Sequence, residues 1–336
     1  MGTKVTMRDV ARAAGVSPMT VSRAFKQDAS VNAETRASVQ EAADRLGYVY
    51  DTTAQAFRAQ RSGFLAVTLP SINNANFAAT HRALTAALAG TDLQLLLGIT
   101  NYRIEEEERL VRQLLARRPE AMVLTGGHHT DKTRKLLSAI DIPLVEIWDL
   151  PSTPAGHVVG FSNADAMALI VAHLAANGRR KLAFLGASGD SDRRGADRRR
   201  GAMQAARDLG LPEILQVDAG MAPVSMSDGA RAAERDFARI REMDALICVS
   251  DPVAFGAMMT LRRLGMRVPE DIAVTGFGAF EISQIAVPRI TTVDVGADRI
   301  GEETGAVIRS VLEAGAQPAA PYVIDIPPRL IEGDST

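Results

Sequence analysis

The sequence predicts two kinds of fold in one chain of 336 residues: a small all-α N-terminal unit and a larger α/β region with doubly wound parallel sheets. Residues 6–46 contain three short amphipathic helices with capping residues at their ends. From Phe64 onward, eleven short Val/Ile/Leu-rich runs alternate with helices, as in parallel sheets covered on both faces. Eleven strands indicate two sheets rather than one, and the chain is too long for a single core of ordinary size.

The first two predicted helices are joined by a tight turn. Thr6 and Asp9 form a capping-box pattern that starts the first helix, and Gly15 ends it. Ser17 is a good N-cap for the second helix, and Pro18 occupies its first position, where the missing N–H does no harm. The pattern is typical of a helix-turn-helix unit whose second helix enters the DNA major groove, although other small helical hairpins share it.

A third helix completes this unit. Asn32 caps its start, and Gly47 closes its end. Residues 1–62 hold nine Lys/Arg and six Asp/Glu, a net charge of +3, so that the remainder carries −5. A basic head on an acidic body is what we expect of a DNA-binding unit attached to another domain.

Composition argues against several other classes of protein. The single cysteine, Cys248, lies in an apolar run and is interpreted as a buried thiol rather than a nucleophile. No apolar run approaches about twenty residues, so no membrane span is expected, and the N-terminus lacks a signal-sequence pattern. The sequence shows no motif for nucleophilic catalysis, phosphate binding or metal binding. We therefore expect a cytoplasmic, nucleoid-associated protein that is not an enzyme and needs no cofactor or metal.

The order of several motifs resembles the lac-repressor (LacI/GalR) family of bacterial transcription regulators. In the helical unit these motifs are DVA, AGVS and TVSR, followed by VNAETR and LGY. In the α/β region, the stretches VEIWD and FLGA resemble the gluconate-repressor-like subgroup. The resemblance covers the chain from end to end.

This resemblance implies a domain organisation. Residues 1–50 would form the helix-turn-helix domain, residues 51–62 a hinge helix or linker, and residues 63–336 an effector-binding and dimerisation domain. The last of these would have two lobes, as in periplasmic binding proteins. The N-lobe would comprise about 63–161 plus 292–325, and the C-lobe about 163–290 plus 326–336.

The resemblance also implies a set of DNA contacts. Arg23 can bridge two acceptors of one guanine, whereas Pro18 and Met19 would act through apolar contact or shape. Phe57 stands where the family usually has a leucine that wedges into the minor groove from the hinge helix, although an ordinary linker is the alternative there. The predicted DNA-binding residues are Ser17, Pro18, Met19, Thr20, Ser22, Arg23, Ala54 and Phe57.

A single helix-turn-helix unit contacts only half of a symmetric site. We therefore expect a homodimer, or a tetramer, on pseudo-palindromic double-stranded operator DNA.

A small-molecule effector is expected between the lobes, beyond the carboxyl ends of the strands. Arg198 stands where relatives use an arginine and can bind a carboxylate through two hydrogen bonds. The loop GFGA at 276–279 lacks an acidic contact of sugar-binding relatives, which favours an anionic effector such as a sugar acid, with gluconate first. The predicted effector-binding residues are Asn76, Phe77, His129, Glu146, Trp148, Asp149, Arg198, Ser250 and Asp251. For the loop after the strand AMVL, His128 is an alternative to His129.

The leading interpretation is a repressor of carbohydrate or sugar-acid catabolism genes. Three alternatives remain at this point: a corepressor-dependent regulator of another metabolite class, the solute-binding protein of a sugar transporter, and an α/β enzyme. The transporter protein would need a signal sequence and no DNA-binding head. The enzyme would need a nucleophile–base pair, which the sequence does not display.

Overall fold

The computed structural model describes residues 5–26, 30–50, 62–190, 192–318 and 320–336. Contacts within the chain divide it into two units, 1–62 and 63–336. The predicted hinge contacts Ala54 and Phe57 lie outside the described residues.

The N-terminal unit contains three helices: α1 (Met7–Ala13), α2 (Pro18–Phe25) and α3 (Ala33–Leu46). The predicted caps are confirmed. The Asp9 carboxylate accepts the backbone N–H of Thr6 at 3.0 Å, and the Asn32 side chain accepts the N–H of Thr35 at 2.8 Å. Gly47 ends α3 with a φ of +66°, which costs glycine little.

A compact apolar core joins the three helices. Val10 of α1, Val21 of α2 and Val39 of α3 are all buried in it, because each lies on the inner face of its helix.

The second unit alternates strands and helices, and its described residues include twelve strands. The strands are β1 (Phe64–Leu69), β2 (Gln94–Ile99), β3 (Ala121–Thr125), β4 (Leu144–Ile147), β5 (His157–Gly160), β6 (Leu182–Gly186), β7 (Leu215–Asp218), β8 (Ala245–Cys248), β9 (Ala273–Thr275), β10 (Thr292–Asp294), β11 (Val323–Asp325) and β12 (Arg329–Ile331). The helices are α4 (Ala75–Ala87), α5 (Ile104–Leu115), α6 (Asp131–Leu137), α7 (Asn163–Ala176), α8 (Arg193–Asp208), α9 (Met226–Arg235), α10 (Phe237–Ile240), α11 (Asp251–Arg263), α12 (Glu281–Ile285) and α13 (Ala297–Ala314).

Two parallel sheets organise this unit, as the sequence predicts. The six-stranded sheet has the order β11-β5-β4-β3-β1-β2, and the four-stranded sheet has the order β7-β6-β8-β9. All their pairings are parallel. We call the elements around these sheets the six-stranded half and the four-stranded half. The chain returns to the first sheet late, where Val323 pairs with Val158.

One predicted strand lies outside the two parallel sheets. The run at 290–294 contributes β10, which pairs antiparallel with β12 in a separate two-stranded sheet. The sequence analysis missed β12 because this short, partly exposed strand begins with an arginine directly after two prolines. It lacks the continuous apolar run that marks a strand buried on both faces.

The central strands are buried along their length, which explains why apolar runs predicted them. All five residues of β3 and of β6, and all four of β8, are buried. Cys248 is buried in β8, as expected of a structural thiol. Among the helices of the described residues, none has the length and apolar character that crossing a membrane requires.

Gly201 allows a close approach of two helices. A Cβ atom at this position of α8 would lie 2.4 Å from the backbone oxygen of Ala164 in α7. We predict that Gly201→Ala lowers the free energy of unfolding by about 1–3 kcal/mol, because the helices must separate. Higher helix propensity offsets about 1 kcal/mol of that cost. Urea unfolding measures the difference.

Gly189→Ala is the matched control, since a Cβ atom there would meet no atom within 4 Å. Equal stabilities of the two variants would show that α7 and α8 can separate without cost.

Candidate functional site

The second helix of the N-terminal unit presents the predicted DNA-contacting side chains at its start. The Ser17 hydroxyl accepts the N–H of Thr20 at 3.1 Å and thereby fixes where α2 begins. Pro18, Met19 and Arg23 are exposed, and Met19 has 63% of its surface accessible. The first turn of α2 and the following turn therefore offer an apolar surface beside a free guanidinium.

Tyr50, which the sequence analysis did not select, holds the chain after α3 against α2. Its ring stacks on Phe25 with centroids 4.9 Å apart and planes 12° from parallel. Its hydroxyl lies 3.2 Å from that of Ser22. The signal in the sequence was the pair of tyrosines Tyr48 and Tyr50 directly after α3, and both rings contact Phe25. The Ser22 hydroxyl therefore already has an intramolecular partner.

A cavity of about 220 Å³ lies between the two halves of the second unit. Loops that follow β1, β2, β3 and β4 form one wall, and the loop after β6 with the start of α8 forms the other. Of the predicted effector residues, Asp149 lines it. Its charged lining residues are Arg103, Glu105, Glu107, Asp149, Asp190, Asp192, Arg193 and Arg194.

An aromatic cluster lies beside this cavity. Phe77 and Trp148, both predicted, meet edge to face with ring centroids 5.0 Å apart. Trp148 contacts Phe161 at 5.9 Å, and Phe161 contacts Phe277 at 6.3 Å. The cluster joins the two halves. Phe277 follows β9 of the four-stranded sheet. The other three rings belong to the six-stranded half, since Trp148 follows β4, Phe161 follows β5 and Phe77 lies in the first turn of α4. These rings exclude water from one side of the site.

Two arginines one turn apart on α8 stack on this cluster. The Arg198 guanidinium lies 4.5 Å from the Phe277 ring centroid, and that of Arg194 lies 5.6 Å from the Phe77 ring centroid. Arg194 also donates to the Thr125 carbonyl at 3.2 Å, which connects α8 to the end of β3. Arg194 lines the cavity, and the sequence analysis did not select it as an effector-binding residue.

Arg198 is held by protein groups. It donates to the Asn163 side chain at 2.9 Å and pairs with Asp192 at 3.7 Å. Burial lowers its pKa, and the charge of Asp192 opposes that change. The predicted effector arginine thus lies behind Arg194, so that a ligand in the cavity meets Arg194 before Arg198.

Three buried polar atoms near the cavity have no hydrogen-bond partner in the described part of the chain: Trp148 Nε1, Arg198 Nε and Asp192 Oδ1. Two are donors and one is an acceptor. A buried polar atom left without a partner costs about 1–3 kcal/mol. Trp148 belongs to the six-stranded half, whereas Asp192 and Arg198 belong to the four-stranded half, so each half has buried polar atoms that a polar ligand could satisfy.

The structure does not bring His129 or Glu146 to the cavity wall. His129 Nδ1 lies 2.6 Å from Glu107, and its Nε2 lies 3.0 Å from Glu146. The second oxygen of Glu146 accepts the N–H of Ala155 at 2.6 Å. Burial alone would lower the pKa of His129, but the hydrogen bonds and charges of the two glutamates raise it to about 9. These residues form a buried ionic network, and His128 faces the cavity instead.

Asn76, Ser250 and Asp251 are also absent from the residues that line the cavity. Asn76 donates to the Gly278 carbonyl at 2.7 Å, a contact between the two halves. Gly278 has a φ of +113°, and a Cβ atom there would lie 2.7 Å from the Asn76 amide nitrogen, which accounts for glycine in the GFGA loop.

Asp251 supports this loop from inside the four-stranded half. It accepts the Thr292 hydroxyl at 2.6 Å and the Phe280 N–H at 2.7 Å, and burial raises its pKa to about 6. Ser250 occupies the position before α11, where its side chain makes no capping hydrogen bond. Asp251 is therefore a support for the loop rather than a residue of the cavity wall.

The ionic network around His129 gives a testable prediction. His129→Leu leaves Glu107 and Glu146 buried without the cation between them, and we expect the free energy of unfolding to fall by about 3–5 kcal/mol. Guanidinium unfolding measures this. In buffer that contains EDTA, His128→Leu is the neighbouring control and should change stability by less than about 0.5 kcal/mol, because His128 is exposed. Comparable losses in both variants would contradict the network.

Comparison with known proteins agrees with both units. A model described as bacterial regulatory proteins, lacI family, matches residues 6–51, and a periplasmic binding protein-like domain matches 171–336. The HTH-type transcriptional regulator GntR of Pseudomonas aeruginosa is 38% identical over 299 residues, covering 88% of this chain and 86% of that protein. GntR of Escherichia coli K12 is 31% identical over 296 residues, covering 88% of each.

Solved structures agree as well. A LacI family transcriptional regulator from Silicibacter pomeroyi has a TM-score of 0.75 at 44% identity, covering 81% of this chain and 98% of that one. A second regulator from the same organism has a TM-score of 0.90 at 29% identity, covering 98% and 99%. These relatives are transcription regulators, which removes the transporter and enzyme alternatives. The chain belongs to the lacI family of bacterial regulatory proteins and is a DNA-binding transcription regulator with an effector-binding domain.

Proposed function

We propose that this regulator is a repressor that binds a pseudo-palindromic operator as a homodimer and responds to a polyhydroxylated carboxylate of the sugar-acid class. Gluconate is the first candidate. The observation that carries this proposal is the position of Arg194, which lines the cavity between the two halves and stacks beside Phe77. We place the protein in the cytoplasm with the nucleoid, since its operator is there.

The chemistry of the cavity supports a sugar acid. A guanidinium binds a carboxylate through two parallel hydrogen bonds, and Arg193 lies in the same wall as Arg194, with Arg103 in the opposite wall. The aromatic cluster, which includes Phe77 and Trp148, supports Arg194 at the wall through the contact between that guanidinium and the Phe77 ring. The curated relatives named GntR and the gluconate-type motifs of the sequence favour the same class.

Control of DNA binding follows from the position of the cavity between the halves. A ligand shifts an equilibrium between two arrangements only through its different affinity for each of them. By linkage, the operator then changes effector affinity by the same factor. Gluconate that weakens operator binding would act as an inducer, and gluconate that strengthens it would act as a corepressor.

Arg23 provides the test of DNA recognition. We predict that Arg23→Ala lowers the preference for operator over random duplex by about 1–3 kcal/mol, because a bidentate contact to guanine is lost. Competition gel shifts at fixed salt measure this preference. Arg45→Ala, on the exposed face of α3, is the control and should leave sequence preference unchanged. Full discrimination by the Arg23 variant would assign the guanidinium to phosphate contact or to solvent.

Arg194 provides the test of the effector. We expect Arg194→Ala to weaken gluconate binding at least about tenfold, since hydrogen bonds between charged groups contribute about 1.5–3 kcal/mol. Isothermal titration with gluconate, glucose and glucitol measures both affinity and class. Arg207→Ala is the control, because Arg207 lies at the far end of α8 and bonds to Gln204. Stronger binding of glucose than of gluconate would contradict the sugar-acid class.

A further inference from the structure

We propose that His128, Asp149 and Asp197 bind a divalent transition-metal ion beside the effector cavity, and that the carboxylate and a neighbouring hydroxyl of the effector complete its coordination. The second part rests on the proposed function. The first part concerns residues of this chain alone and is tested without an effector.

The three side chains form a compact donor set. One possible ligand atom from each lies within 4.8 Å of those of the other two, a spacing that one ion can bridge. They come from three separate segments: the loop after β3, the loop after β4, and α8. His128 and Asp149 belong to the six-stranded half, whereas Asp197 belongs to the four-stranded half. A metal ion here would connect the two halves directly.

The donor atoms remain free to coordinate. In the part of the chain that the structure describes, neither ring nitrogen of His128 makes a hydrogen bond. Asp149 accepts the N–H of Leu150 at 2.9 Å and that of Gly127 at 3.4 Å, and each of its oxygens retains a lone pair. Asp197 uses Oδ1 for Arg200, which leaves its Oδ2 available. Among the described residues, the Arg200 contact with Asp197 is the one that competes with a metal ion.

The local charge gives a second reason for a cation. The ligand atoms of Asp149 and Asp197 lie within 4.8 Å of each other, and two carboxylates at that distance repel each other in a partly buried site. A divalent ion held by His128, Asp149 and Asp197 would offset that repulsion. It would also offer open positions to a carboxylate and a hydroxyl.

The donor types select the class of metal. One imidazole with two carboxylates suits Mn²⁺, Fe²⁺ or Zn²⁺, whereas Mg²⁺ and Ca²⁺ prefer oxygen donors throughout. Three protein ligands also leave coordination positions for ligand atoms, as in metal sites that bind substrate.

The first experiment measures the metal alone. Tag-free full-length protein, stripped with EDTA and dialysed, is titrated with Mn²⁺ and followed by electron paramagnetic resonance. We expect one saturable Mn²⁺ per chain. We also expect at least about a tenfold loss of Mn²⁺ affinity in His128→Ala and in Asp149→Asn. Loss of a group that only orients a metal ligand already lowers affinity by about 10-fold to 100-fold, and loss of the ligand itself lowers it at least as much. Thermal melts establish that both variants fold.

Asp208→Asn is the matched control on α8, where Asp208 is exposed and bonds to Gln204. It should bind Mn²⁺ as the unaltered chain does. Asp197→Asn tests the ligand from the other half and should lose affinity. Absence of saturable binding, or binding that survives all three ligand substitutions, would mean an adventitious ion only and would overturn the proposal.

The second experiment adds gluconate to stripped and Mn²⁺-loaded protein in a calorimeter. We expect gluconate to bind at least about tenfold more tightly to the loaded protein, and Mn²⁺ to bind more tightly by the same factor when gluconate is present. Equal gluconate affinities overturn the shared coordination. Mn²⁺ binding that the variants abolish, together with no gluconate binding in either state, supports the metal site and refutes the proposed effector class.

Discussion

The direction of the strands in the two parallel sheets determines where the loops that form the cavity of the effector domain lie. Parallel strands end on the same edge, so the loops after β1, β2, β3 and β4 must gather on one side of the first sheet. The loop after β6 and the start of α8 meet them from the second sheet. The cavity, the aromatic cluster and the arginines of α8 are all consequences of this geometry. The buried apolar strands that stabilise the sheets hold these loops in place.

A polar site in this position requires a charged side chain to be nearly buried. Arg198 is nearly buried, and a buried guanidinium needs partners because its desolvation is expensive. Asn163, Asp192 and the Phe277 ring supply them. By holding Arg198, these groups also hold α8 in place, so that Arg194, one turn earlier on the same helix, lies at the cavity wall. A supporting arginine behind one that lines the cavity explains why two such residues lie on one face of α8, and why the Nε of the deeper one has no partner among the described residues.

The sequence predicted the helices and strands of this fold well, but it did not predict which individual side chains line the cavity. Continuous apolar runs locate buried parallel strands, and caps such as Asn32 locate helix ends, because both signals are local. Which of two adjacent histidines faces a cavity is not a local property. His129 points inward because its ring hydrogen-bonds to Glu107 of α5, and this leaves His128 at the cavity wall. Whether Arg194 or Arg198 lines the cavity is likewise not a local property, since both share a helix face and depth depends on tertiary packing.

The hydrogen bonds between the two halves indicate which contacts an effector in the cavity would replace and which it would leave intact. Asn76 donates to the Gly278 carbonyl, and Arg194 donates to the Thr125 carbonyl. A single hydrogen bond contributes only about 0.5–1.5 kcal/mol net, so these contacts can be exchanged for ligand contacts at small cost. Arg194 lies in the cavity wall, and a carboxylate there would compete for it with the Thr125 carbonyl. Asn76 is absent from that wall, and its bond can persist when ligand binds. The GFGA loop therefore maintains a contact between the halves that does not involve the cavity wall, and Gly278 permits this contact because a Cβ atom there would lie 2.7 Å from the Asn76 amide nitrogen.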